Sequence, residues 1–274
     1  MEDLVKDLRE AYNILKEEIN EDKIHQFRKF FKRFKAIYLI DSENSIPIKL
    51  KTFYKLAGDV RDIQILNKFE TIYNKPKTSY SFKLIEKFLI ENPEINLPSS
   101  LVYPNKDVIL EYVIFNIRYG LKTEKFYSIE DVHKLRKTVK KLLFLIRIYG
   151  FKDLGEILLE KAEENLGEWH DRQINLDKIP ELSKECYNYM QDGLENIRIL
   201  KRFQCMDCGI STFHDDKNYY MLNNDLWKSI VPNIDGMLCI HCVEERLGRK
   251  VKYDDFSDVP LNHHWNGYVQ QLKD

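Results

Sequence analysis

A motif of basic residues occurs twice along the chain at one fixed spacing. The first copy holds His25, Arg28, Lys32 and Arg33, and the second holds His133, Arg136, Lys140 and Lys141, each displaced by 108 residues. A shorter motif follows each copy at a displacement of 109, first as Gly58-Asp-Val-Arg61-Asp62 and then as Gly167-Glu-Trp-His170-Asp171. Matched positions at nearly one offset indicate an internal duplication. Since duplicated helical units stack in pairs, we predict two pseudo-symmetric helical bundles that meet along one interface.

Helical periodicity dominates the chain from its start to about residue 200. The proline-containing segment 91–107 reads as the connection between the halves, predicted at about 1–92 and 107–203. Near residue 203 the periodicity weakens, and cysteines, aromatic residues and turn residues become frequent. The predicted fold class is therefore all-α, with two helical bundles over residues 1–203 and a small α+β module over residues 204–274.

Each basic copy lies in an amphipathic segment that contains no acidic residue, over residues 23–38 and 132–152. Because an α-helix turns about 100° per residue, the basic residues gather on one side of each helix and the apolar residues on the other. The apolar positions are Ile24, Phe27, Phe30, Phe31, Phe34, Ile37 and Tyr38 in the first segment and Leu135, Val139, Leu142, Leu145 and Ile146 in the second. Ser128, followed by Asp131, predicts the N-cap of the second helix.

Two explanations of the basic faces stay open. Like charges repel one another along a helix face, so the negative charge that relieves them comes either from acidic residues elsewhere, such as Glu160 to Glu168, or from a ligand. A ligand spanning several helical turns would be a linear polyanion, held by Arg forks and Lys point charges in a salt-sensitive way. Single-stranded nucleic acid fits less well, because the aromatic residues lie on the buried side.

The two histidines and the Gly-Asp motifs each have a structural and a functional interpretation. His25 and His133 are either satisfied structural residues or hydrogen-bond donors to phosphate. The Gly and Asp of the shorter motifs are interpreted as structural, allowing close helix approach and holding a cap or a basic side chain. Arg61 and His170 extend the basic surface only weakly.

The ordered, duplicated set resembles the CHAD family, the histidine-containing α-helical domain, over roughly residues 5–200. The resemblance implies two bundles of about four helices each, related by a pseudo-twofold, whose basic helices line a central groove. It also implies binding of inorganic polyphosphate without catalysis. The ligand-facing set carried over by position is His25, Arg28, Lys32, Arg33, Lys35, His133, Arg136, Lys137, Lys140 and Lys141.

Four of the five cysteines form two pairs, Cys205-Met-Asp-Cys208 and Cys239-Ile-His-Cys242, with thirty residues between them. Two such pairs in a short segment indicate a structural Zn²⁺ site with four thiolate ligands, resembling a treble clef. Two disulfides, a redox CxxC, or substitution by His214, His241, His263 or His264 are the alternatives. Gly209 is expected to ease the first turn and Gly248 to end a helix. Cys186 is predicted to be buried, and Tyr219, Tyr220, Met221 and Trp227 to form a small core.

The sequence contains neither a carboxylate cluster for Mg²⁺ nor a P-loop, so we predict a binding protein and not an enzyme. A nucleic-acid-binding protein, with the cysteine module as reader, and a phosphate-processing enzyme are the alternatives. The N-terminal segment lacks the pattern of a secretory signal, and no apolar run approaches the roughly 18 residues needed to span a bilayer. We therefore predict a cytoplasmic protein without membrane contact, associated with polyphosphate granules.

Overall fold

The structure is a computed structural model of the chain. It describes residues 3–40, 44–69, 76–123, 128–177, 180–213, 217–231 and 236–273, with the backbone alone for residues 66–69 and 76–79. The chain divides into two compact units. The first unit comprises Met1–Ile109 and Asp171–Leu182, and the second comprises Leu110–His170 and Ser183–Asp274.

Four helices form a closed bundle in the first unit. They are α1 (Leu4–Glu17), α2 (Glu21–Tyr38), α3 (Ile48–Phe69) and α4 (Pro76–Glu91). Each helix packs on the next, and α4 returns to α1. The core consists largely of aromatic rings, with the centroids of Phe27 and Phe53 4.7 Å apart in an edge-to-face arrangement. The buried side of α2 is the predicted one, because Ile24, Phe27, Phe31, Phe34 and Ile37 are all buried.

Four more helices follow along the chain. They are α5 (Lys106–Phe115), which continues as a π-helical turn (Asn116–Gly120), α6 (Ile129–Tyr149), α7 (Glu156–Gln173) and α8 (Ser183–Arg202). The predicted N-cap of α6 is confirmed, since the Ser128 hydroxyl oxygen accepts a hydrogen bond from the Asp131 backbone N–H at 3.2 Å. All five predicted apolar positions of α6 are buried. The all-α fold is confirmed, while the pseudo-symmetry and the shared interface of the halves stay predictions.

Residues 204–273 belong to the second unit and contain α9 (Asn224–Ile230), α10 (Ile240–Leu247), a π-helical turn (Leu261–Trp265) and α11 (Gly267–Gln271). Their predicted β component is not found in the described residues, which form only isolated bridges, such as Leu222 with Phe256. Side chains take the place of a β-ladder. The buried Asn262 amide accepts from Met221 N at 3.0 Å and donates to Met221 O at 2.8 Å. A domain boundary between residues 203 and 204 stays a prediction.

The small core of this module differs from the predicted one. Tyr220 is buried and Trp227 packs against the core, but Tyr219 and Met221 are exposed. Burial alternates along residues 219–222, so Tyr220 and Leu222 turn inward while Tyr219 and Met221 face solvent. Among the described helices of the chain, none has both the length and the apolar content required to cross a membrane.

Candidate polyanion-binding helices and metal centre

The basic face of α2 reaches solvent over several helical turns. His25, Lys29, Lys32 and Lys35 are exposed, whereas Arg28 and Arg33 are half-buried. The seven residue steps from His25 to Lys32 span about 10 Å of helix. The exposed part of this face is therefore a row of lysines headed by a histidine.

Arg28 is turned onto the neighbouring helix α3. Its Nη1 donates to the Tyr54 carbonyl oxygen at 3.1 Å, and its guanidinium lies 4.6 Å from the centroid of the Tyr54 ring. Gly58 makes room for it, since a Cβ at Gly58 would lie 2.8 Å from Arg28 Nη1. The structural interpretation of Gly58 fits this contact. The matched Gly167 differs, because a Cβ there would meet no described atom within 4 Å.

His25 lies among positive charges. Partial desolvation of its ring lowers the pKa of His25, and the nearby Arg61, Lys32, Lys29 and Arg28 lower it further. Arg61 comes from α3 and also lies 4.0 Å from a carboxylate oxygen of Asp171, measured from its Nη2. The His25 imidazole is therefore neutral at pH 7 and offers phosphate a hydrogen bond without a charge.

The face of α6 is partly neutralised by other residues of the same unit. Lys140 Nζ lies 2.6 Å from Glu163 Oε1 on α7, and Lys141 Nζ donates to the Tyr112 hydroxyl at 2.8 Å. Arg147, near the end of α6, pairs with Glu156 at 2.8 Å and also with Glu160. Acidic residues of α7 therefore relieve part of this face, as one of the two explanations expected.

The histidine at the start of the α6 face stacks on a second histidine. The rings of His133 and His170 of α7 have their centroids 5.0 Å apart. Desolvation lowers the pKa of His133 to about 4, and Lys137, His170 and Arg136 lower it while Glu130 opposes them. Arg61, at the matched position of the first motif, likewise lowers the pKa of its histidine, His25.

Two lysines at matched positions are exposed and have no acidic partner among the described residues. Lys29 and Lys137 are 108 residues apart, and neither forms an ion pair with a described residue. The ligand-facing set predicted from the sequence contains Lys137 but not Lys29, although the 108-residue offset would have identified Lys29. Tyr54 and Tyr112 were also missed, because each meets its basic partner across 26 or 29 residues and follows no periodic pattern.

The four paired cysteines come together in one cluster. The Sγ atoms of Cys205, Cys208, Cys239 and Cys242 all lie within 4.8 Å of one another. The Sγ atoms of Cys208 and Cys239 are 3.7 Å apart, close to the edge of about 3.8 Å expected for four sulfurs about 2.3 Å from a tetrahedral Zn²⁺. The positive φ of 77° at Gly209 closes the first turn, and Gly248, with φ of 66°, ends α10. The cluster can therefore hold a metal ion.

Backbone N–H groups donate hydrogen bonds to two of the cysteine sulfurs, and the cysteine thiols also form hydrogen bonds with one another. Cys239 N donates to Cys205 Sγ at 3.3 Å, and Cys242 N donates to Cys239 Sγ at 3.4 Å. Hydrogen bonds from Cys208 and Cys239 lower the pKa of Cys205, while donation to Cys205 and Cys208 raises the pKa of Cys239. A divalent cation binds cysteines as thiolates, so a cation that occupied the cluster would displace the protons of these hydrogen bonds.

The remaining candidate ligands lie elsewhere. His241 pairs with Glu245 at 3.3 Å, and His263 lies 2.8 Å from Asp258 and 2.9 Å from the Tyr253 hydroxyl. His214 lies outside the described residues. Cys186 is buried as predicted, and its Sγ lies 3.7 Å from the Trp169 carbonyl oxygen.

No protein-family model matches the chain, and no curated protein matches it. Among solved structures, the chain is similar to the crystal structure of the CHAD domain from the plant Ricinus communis, with 11% sequence identity and a TM-score of 0.44. The alignment covers 75% of this chain and 85% of that chain. A similarity of this size leaves the family that the duplicated motif resembles as a prediction.

Proposed function

We propose that the chain binds inorganic polyphosphate along the basic faces of α2 and α6, without catalysing a reaction. The observation that carries the proposal is the matched pair of exposed lysines, Lys29 and Lys137, on helix faces that contain no acid. A polyanion supplies the negative charge that the described residues around these two lysines do not. Lysine ammonium groups suit it as point charges that need no fixed ligand geometry.

The neutral histidines support a phosphate ligand in a second way. A phosphate chain beside His25 or His133 stabilises the protonated ring, so binding is accompanied by proton uptake at these positions. The arginines act differently from the lysines. Arg28 holds Tyr54 while leaving part of its guanidinium free for phosphate, because a guanidinium carries five N–H donors.

We propose that the four-cysteine cluster holds Zn²⁺ as a structural ion. Bound zinc would be held by Cys205, Cys208, Cys239 and Cys242 and would fix the chain on both sides of α10. A closed set of four thiolates leaves no open coordination position for a substrate. Reduced thiols suit a reducing compartment such as the cytoplasm, which is also where we place polyphosphate binding.

The test is equilibrium binding of labelled long-chain polyphosphate to the zinc-loaded full chain. We expect saturable binding that the double variant Lys29→Glu/Lys137→Glu reduces at least tenfold, since two favourable charge contacts become repulsive. Lys87→Glu is the matched control, because Lys87 is exposed on α4 and pairs with Glu91 at 3.7 Å. Unchanged affinity in the folded double variant contradicts the proposal.

Competition and product analysis address the other functions in the same assay. Displacement of polyphosphate by duplex DNA or RNA at equal phosphate concentration would favour a nucleic-acid-binding protein. Release of phosphate by the pure protein, lost on substitution of His25 or His133, would favour an enzyme. A single groove lined by both helices stays a prediction. Measuring affinity for polyphosphates of increasing chain length tests it, because the affinity should rise once one chain is long enough to reach both faces.

A further inference from the structure

The second unit contains an open cleft beside the cysteine cluster, with a volume of about 340 Å³. It is lined by the π-helical turn after α5, the last turn of α8 and the segment around the first cysteine pair. The main lining residues are Arg118, Tyr119, Lys201, Arg202, Gln204 and Met206. Small-molecule sites occupy about 300–1,000 Å³, so the cleft has room for a small ligand.

The charge of the lining is positive. Among the described residues, the lining contains three cations, Arg118, Lys201 and Arg202, and no acidic residue. Two of them are anchored to backbone. Arg118 Nη2 donates to the Cys205 carbonyl oxygen at 2.9 Å, and Lys201 Nζ donates to the Leu121 carbonyl oxygen at 3.1 Å. Anchored cations are already ordered, so an anion that reaches them loses little side-chain entropy.

Gln204 provides the second, independent indication of a ligand. Its side chain is only 6% exposed, and its Nε2 has no hydrogen-bond partner among the described residues. A buried amide donor without an acceptor is unfavourable, and native proteins retain few of them. Gln204 lines the cleft, and a rotation of its amide towards the cleft would let a ligand oxygen supply the missing acceptor.

One side of the cleft is suited to a ring. Tyr119 is 64% exposed, and Met206 contributes a thioether that packs well against aromatic surfaces. Guanidinium groups, the donors most abundant in the cleft, pair with phosphate oxygens through two parallel hydrogen bonds. The lining therefore combines phosphate donors with an apolar platform a short distance away.

We propose that this cleft binds a small phosphate ester carried on a planar ring, for which a mononucleotide is the simplest probe. Gln204 and Met206 flank Cys205 in the sequence, and Arg118 donates to the Cys205 carbonyl oxygen, so the cleft adjoins the first cysteine pair. The site is separate from the basic faces of α2 and α6 and does not depend on polyphosphate binding.

The test is calorimetric titration of the zinc-loaded full chain with AMP, with inorganic phosphate and adenosine as the two halves of the probe. We expect one AMP per chain and weaker binding of either half alone. Arg202→Gln should lower AMP affinity by about tenfold, the usual effect of losing one charge-assisted hydrogen bond. Arg198→Gln is the matched control, because Arg198 lies one turn earlier on α8 and pairs with Glu195 at 3.3 Å.

Gln204→Met separates ligand binding from a structural role. It replaces the buried amide with an apolar side chain of similar length, so the melting temperature should stay or rise while AMP affinity falls. The proposal is overturned if AMP shows no saturable binding, if phosphate binds as tightly as AMP, or if Arg198→Gln lowers affinity as much as Arg202→Gln. It is also overturned if Lys137→Gln on α6 abolishes AMP binding, since the ligand then occupies the polyphosphate face.

Discussion

Two adjacent residues on the basic face of α2, Arg28 and Lys29, have different roles. Arg28 is half-buried and bonded to α3 through the Tyr54 carbonyl oxygen, whereas Lys29 is exposed and forms no ion pair with a described residue. Both residues are basic, so the sequence alone does not distinguish their roles. The difference arises because the longer, planar guanidinium can stack on an aromatic ring and reach a carbonyl oxygen at once. Stability and binding should therefore respond to different residues of this helix.

Replacing these two residues separates the two roles. Arg28→Ala should lower the free energy of unfolding by roughly 1–3 kcal/mol, because it removes a hydrogen bond from a charged donor and a cation–π contact. Lys29→Glu should change it by less than about 0.5 kcal/mol, as exposed substitutions usually do, while weakening polyphosphate binding. Urea unfolding and binding of each variant measure both effects. Equal losses of stability would contradict the assignment.

The depressed pKa of His133 makes stability depend on pH. The unfolded imidazole titrates near 6.5 and the folded one near 4, so between these values the unfolded state binds more protons. The contribution of His133 to the free energy of unfolding should therefore be complete above about pH 6.5 and should be lost as the pH falls towards about 4. His133→Gln removes this contribution, and urea unfolding at several pH values should give the variant a flatter profile. If His133→Gln kept the wild-type dependence of stability on pH, the partial desolvation of a neutral His133 would be refuted.

At the scale of elements, the turn that carries Cys205 and Cys208 is held from two sides. The cysteine cluster fixes one side, and the close contact of Gly209 with Ile114 of α5 fixes the other. A Cβ at Gly209 would lie 2.7 Å from Ile114 Cγ1, and φ there is 77°. Backbone conformation and packing thus both require glycine.

Gly209→Ala should lower the free energy of unfolding by roughly 2–4 kcal/mol, from left-handed backbone strain together with overpacking. Gly248→Ala is the matched comparison, because φ there is 66° but a Cβ would meet no described atom within 4 Å. We expect it to cost only the backbone strain, roughly 1–2 kcal/mol. Thermal unfolding of the two variants measures the difference, and equal losses would show that the packing against Ile114 contributes nothing.

Measuring bound zinc tests whether the cysteine cluster is a structural metal site. The purified chain should contain about one zinc ion, and Cys239→Ser should lose it, because three thiolates and a hydroxyl bind zinc weakly. Cys186→Ser should retain it, since Cys186 lies outside the cluster. Elemental analysis and circular dichroism before and after chelation measure the content and the structure that depends on it. Full zinc content in Cys239→Ser would rule the cluster out as the zinc site.

The helices and the cysteine cluster could be predicted from sequence for local reasons. The 3.6-residue period of α2 and α6 and the spacing within each cysteine pair are set by a few neighbouring residues. The contacts that decide which basic residues remain free are not local. Lys140 meets Glu163, and Arg28 meets Tyr54, only because separate helices pack together. The β component predicted for residues 204–274 is not found among the described residues for a similar reason, since Asn262 takes the backbone partners that a strand would use.

At the scale of the whole molecule, the motif repeated at an offset of 108 residues lies on one helix in each half of the chain, α2 and α6. The formal net charge of the chain is only −1, so attraction of a polyanion must come from these local faces and not from the molecule as a whole. Attraction of this kind is driven by counterion release and is steeply dependent on salt. The salt dependence therefore counts the phosphate contacts that the two faces make.

The most direct test is a salt titration of polyphosphate binding to the full chain and to Lys29→Gln/Lys137→Gln, with Lys87→Gln as control. The account predicts a linear fall of log K with log salt concentration, and a slope that is shallower by roughly 2 in the double variant, about 1 for each lost phosphate contact. The control should keep the slope of the wild type. A double variant with the wild-type slope and affinity would contradict polyphosphate binding on the matched faces of α2 and α6.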